Sequence, residues 1–144
     1  MATLILKWTA LGLGWLRGGH TERFAVAVLF CDHVLTRATT EMPGSHKLVG
    51  VSELVVAGVF LWLALRSDRW WTLAAAAALL LCVLVFALEL SHSGVSTYGA
   101  ISARIGLWCV VSLSLIAGVW ERWLAGEAAV SSRRRWRSRT ALTW

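Results

Sequence analysis

Proline occurs once in the 144 residues, and only 15% of the residues are charged, eight of them acidic. Soluble domains carry about a quarter charged residues. This chain has too little charge to cover a water-facing surface, which excludes an ordinary soluble domain and a disordered chain. The near absence of proline leaves long stretches in which nothing interrupts a helix. Cysteine is scarce as well. Cys31, Cys82 and Cys109 form no CxxC pair and are odd in number, which excludes a disulfide scaffold and a zinc motif. All three sit in apolar runs and read as small buried side chains. HExxH, GxSxG and the P-loop are missing, so catalysis of a soluble-enzyme type has no support, and the chain reads as a non-enzyme. No polar stretch is long enough for a soluble domain; the longest is 126–144.

Apolar length is what the chain has. Hydrophobic residues make up 58%, with ten tryptophans, and the mean hydropathy is +0.66. A hydrocarbon core needs about 20 apolar helical residues to cross it. The apolar runs predict an all-α fold, a small polytopic transmembrane bundle of four or five spans within residues 1–123. Helices are expected near 2–16, 22–38, 48–66, 70–91 and 98–123. Gly18-Gly19, the Pro43-Gly44 turn, the 66–69 turn and the Ser91–Gly94 stretch separate them. The first run is short for a span, and an interfacial helix is the alternative. Its charge at Lys7, with no small-residue cleavage motif before Gly18, argues against a signal peptide.

The net charge of +6 is concentrated at one end, because Arg133, Arg134, Arg135, Arg137 and Arg139 account for five of it. The 124–144 segment is therefore expected to be a basic cytoplasmic tail. Its arginines directly follow a hydrophobic span, a position that suits anionic lipid head groups and fixes topology. Nucleic acid is not expected as a partner. With the tail inside, Arg17, Arg23, Arg66, Arg69 and Arg122 also fall inside, as do Trp15, Trp62, Trp70, Trp71, Trp120 and Trp123.

Alternating the helices then gathers the intramembrane polar residues. Asp32, His33, Glu53, Glu89 and Arg104 all fall in the outer half, and the inner half is expected to hold essentially no buried charge apart from Lys7. Charges in a bilayer are costly, at about 2.5–3.5 kcal/mol each at a helix centre on insertion scales. Asp32, Glu53 and Arg104 should therefore face inward and pair. The cluster reads either as a structural ion-pair network or as a polar site for protons, a cation or a small ligand. No cofactor is expected. Haem or pigment ligation by His33 or His92 is the lesser alternative. The two histidines differ in depth by about 10 Å, and leucines, not small residues, stand four positions before each. Gly99, Ser102, Gly106 and Cys109 form a small-residue stripe on the last helix. It faces either the bundle's own helices or another subunit.

The segments RGGHTERFAVAVLF and LALRSDRWWTLAAAAALLLCVLVFALELSHSG resemble a group of small, uncharacterised multi-span membrane proteins of alphaproteobacteria. In these, an R-x-x-R-W-W-P-L turn joins two apolar helices and a histidine follows the second. Here the turn is 66–71, with Thr72 where proline is usual. The resemblance implies a bacterial inner-membrane location and no activity. A fainter similarity to DoxX-like four-helix proteins lies around residues 49–65, without their redox-cysteine context. Together these readings predict a non-catalytic accessory or assembly subunit that packs on a larger inner-membrane complex or self-assembles. A small transporter, channel or proton-handling protein is the alternative. Either would have the lipid bilayer and other membrane subunits, or copies of itself, as partners.

Overall fold

The computed structural model describes residues 2–39, 45–67, 69–91 and 96–126. The described residues fold into five helices: α1 (Ala2–Arg17), α2 (His20–Thr39), α3 (Ser45–Arg66), α4 (Trp70–Leu90) and α5 (Thr97–Leu124). These ends lie within three residues of those read from the apolar runs. Among the described residues there is no strand. Three helices are long and apolar enough to cross a membrane: Leu48–Arg66, Trp70–Leu90 and Tyr98–Leu124. At about 1.5 Å per residue, α1 reaches only about 24 Å. α2 has the length, but Glu22, Arg23, Asp32 and Arg37 interrupt its apolar character.

The turns explain the helix ends. The amide of Gly18 donates to Gly14 O and closes α1. Glu22, in the first turn of α2, reaches back to accept the amide of Gly19 at 2.8 Å, half of a capping box. Its charge also suits the positive end of the α2 dipole. Arg69, the N-cap of α4, makes no side-chain capping hydrogen bond. There the Thr72 hydroxyl donates to Arg69 O at 2.6 Å and lies 3.0 Å from the Ser67 hydroxyl, which ties the turn to the helix. Ser96 caps α5 by accepting the amide of Gly99.

Each helix packs on its neighbour in sequence, and α5 returns to pack along α1. Close contacts show the alternation in direction. Gly50, early in α3, faces Phe86, late in α4. Trp71, early in α4, covers Gly118, late in α5, where a Cβ would lie 2.5 Å from the indole Cδ1. Lys7 meets Trp108 near one end of α1, and Gly14 faces Leu115 toward the other, so α1 lies alongside α5. The ends of α1, α3 and α5 that start each helix therefore share one end of the bundle, called here the tail-distal end. The other, tail-proximal end carries the close of α5. Ala75, Ala76, Leu79, Phe60, Val111 and Leu115 fill the centre.

Trp15, Trp62, Trp70, Trp120 and Trp123 are exposed at the tail-proximal end, but Trp71 is 0% exposed and belongs to the core. The cysteines divide too. Cys82 is buried, Cys109 half-buried and Cys31 exposed, and all three are free thiols.

Candidate functional site

Four of the five residues of the expected polar cluster meet at the tail-distal end. Asp32, His33, Glu53 and Arg104 line one cavity of about 150 Å³, with Lys7, Thr36, Val49 and Trp108 completing its wall. α1, α2, α3 and α5 each supply at least one polar side chain. Glu89 is half-buried on α4 and outside the lining, near enough for its charge to act on Glu53.

Arg104 forms an ion pair with Glu53 through Nη2 and Oε1, and stands 5.9 Å from the centroid of the Phe86 ring. Asp32 does not share this pair. Its neighbours are Ser52 on α3 and the charge of Lys7. Lys7 Nζ donates to His33 Nδ1 across 3.2 Å and sits 4.5 Å above the Trp108 ring. An accepting Nδ1 places the imidazole proton on Nε2. The His33 and Trp8 rings also pack edge to face. Lys7 and Trp108 form the wall shared with a second, mostly apolar groove of about 170 Å³ between α1 and α5.

Two cations and two carboxylates line the cavity, so its formal charges balance. Hydrogen bonding is less complete. Asp32 is 7% exposed and Glu53 6%, yet Asp32 Oδ1 and Glu53 Oε2 are buried without a partner among the described residues. An unsatisfied buried acceptor costs about 1–3 kcal/mol, more when charged. Water takes about 30 Å³ in the liquid, so the cavity has room for a few waters or one small polar molecule to supply the missing donors.

The tail-proximal end is not empty of buried charge, which corrects the expected one-sidedness. Glu22 is 0% exposed. Its Oε2 accepts from Gly19 N and from Arg122 Nη1 at 3.2 Å. Gly19 makes room for this pair, since a Cβ there would collide with the Arg122 guanidinium. Sequence reasoning missed Glu22 because a glutamate beside Arg23 at a helix start reads as a solvated cap, and its partner lies 100 residues away. Lys7 was the other miss: with α1 alternating in direction it falls at the tail-distal end with the rest.

The small-residue stripe faces away from the bundle. Gly99, Ser102 and Gly106 are exposed and Cys109 is half-buried. A Cβ at Gly106 would meet nothing within 4 Å. The inward face of α5 is instead Ala100, Val111, Leu115 and Gly118. His92 and Arg133, Arg134, Arg135, Arg137 and Arg139 lie outside the described residues. His33 is engaged by Lys7, and among the described residues no three His, Cys, Asp or Glu side chains gather in a way that could hold a metal ion.

No known protein family, curated protein or solved structure matches the chain.

Proposed function

We propose that the chain is a five-span inner-membrane protein that takes a proton or a small monovalent cation from the outer face into the Asp32–Glu53 cavity. The observation that carries this reading is the pair of buried, unpartnered carboxylate oxygens lining one space. Both are acceptors, so the missing component is a donor or a cation. Ionisable residues inside a membrane are costly and mark ion and proton pathways. The charge-balanced surroundings hold the carboxylates in place without neutralising their free oxygens.

The same packing supports five spans. α1 lies alongside α5 from Trp108 to Arg122, and α2 contributes Glu22 at one end and Asp32 toward the other. Neither arrangement suits a helix lying flat at an interface. The arginine distribution supports a cytoplasmic tail bound at anionic lipid, and with it a cavity on the outer side. The resemblance to small alphaproteobacterial proteins supports a bacterial inner membrane. The test is gradient dissipation by the purified protein in liposomes. Loss of proton or cation flux in Asp32→Asn, with the fold intact, supports the reading; unchanged flux sinks it.

A second reading is favoured by the outward-facing Gly99, Ser102 and Gly106. Small residues let membrane helices approach closely, and nothing in the described chain covers them. The same protein would then work as a subunit, against another membrane protein or its own copy.

A further inference from the structure

At the tail-proximal end, α4 and α5 leave a groove of about 560 Å³ that the polar cavity does not reach. Its floor is apolar. Leu113, Ile116 and Ala117 follow one another at helical spacing along α5 and lead from the end of the bundle toward its middle. Its mouth is different. Trp70 and Trp120 flank it, both exposed, and Glu121 closes it. Glu121 Oε2 is buried there without a partner among the described residues. Arg122, next in sequence, is committed to Glu22 on α2, and Arg66 lies over Trp62. The Glu121 carboxylate thus shares the mouth of the groove with two indoles, at the top of an apolar track.

We propose that this groove is a binding site for a phospholipid with an ammonium head group, drawn from the leaflet on the tail side. The track accepts an acyl chain. The indole faces and the carboxylate accept the ammonium, since aromatic faces attract cations and a carboxylate pairs with them. Charge complementarity selects the occupant. The arginines of this end favour the phosphate of any phospholipid, so discrimination between head groups rests on Glu121, which attracts an ammonium and repels an added negative charge. The placement suits head-group contact, because Trp70 opens α4 and Glu121 is in the last turn of α5, where interfacial residues meet head groups. The inference is independent of the cavity's function, since neither set of residues touches the other.

The experiment is native mass spectrometry of the full chain, delipidated in mild detergent and offered equal amounts of phosphatidylethanolamine and phosphatidylglycerol with matched acyl chains. Wild type should retain the ethanolamine lipid with a preference of about tenfold, the ratio that 1.4 kcal/mol provides. Glu121→Gln should bring that preference close to one while leaving acyl-lipid retention. Trp120→Leu, which truncates an exposed ring and leaves the core alone, should weaken retention of the ethanolamine lipid more than of the glycerol lipid. Equal retention by wild type, a preference for phosphatidylglycerol, or an unchanged preference in Glu121→Gln would overturn the proposal.

Discussion

Removing either partner of the Arg104–Glu53 pair leaves a charge stranded in the cavity, yet the two removals are not equivalent. In Glu53→Gln the arginine is stranded, and a guanidinium does not give up its proton. Breaking a buried pair this way costs about 3 kcal/mol at the low end of the usual range. In Arg104→Gln the carboxylate is stranded, and it has an escape, which is to take a proton. A glutamate in water titrates near pH 4.3, so protonating it costs about 4 kcal/mol at pH 7 but only about 1 kcal/mol at pH 5, at 1.36 kcal/mol per unit. At pH 7 the escape costs more than the stranded charge, so both variants should lose about 3 kcal/mol. At pH 5 the loss in Arg104→Gln should shrink to about 1 kcal/mol, while Glu53→Gln stays near 3. The assay is reversible unfolding in mixed micelles with rising dodecyl sulfate, followed by far-ultraviolet circular dichroism at both pH values. Equal losses for the two variants at pH 5 would refute the reasoning, because then the pair would not be desolvated enough for protonation to matter.

The two faces of α5 give opposite expectations for the same kind of change. Gly118→Ala places a methyl 2.5 Å from the fully buried Trp71 ring, and should cost about 1–3 kcal/mol of stability in the same unfolding assay. The Cβ of Gly106→Leu meets no heavy atom within 4 Å and position 106 is exposed, so stability should hold; under the subunit reading the particle size in mild detergent should fall, as light scattering after size exclusion would show.

Helix positions were legible because four polar breaks interrupt the apolar runs, and the polar cluster was legible because charges are rare there. Alternating the helices was enough to bring Asp32, His33, Glu53 and Arg104 to one end. Partner choice was not legible. Arg104 had two carboxylates within reach by depth, and only helix rotation assigns it to Glu53 and leaves Asp32 to Ser52 and Lys7. Rotation also decides Gly99, Ser102 and Gly106. A helix apolar on nearly every side gives no sign of which face meets its neighbours, and α5 turns Ala100, Val111 and Gly118 inward instead. Trp71 and Trp70 are adjacent and alike in sequence; one packs on Gly118 and the other stays exposed. Glu22 depended on an arginine at the far end of the chain, beyond any local pattern.

The central claim is that the free carboxylate oxygens of the cavity serve a passing proton or cation and are not leftovers of a structural lock. The doubly substituted Asp32→Asn, Arg104→Gln protein tests it most directly. It removes one negative and one positive charge, so the formal balance of the cavity is kept while Glu53 loses its partner as in Arg104→Gln alone. Reconstituted in liposomes beside wild type, it should show native helicity and no proton or cation flux above that of empty vesicles. Flux at the wild-type rate from this folded, double-substituted protein would contradict the account.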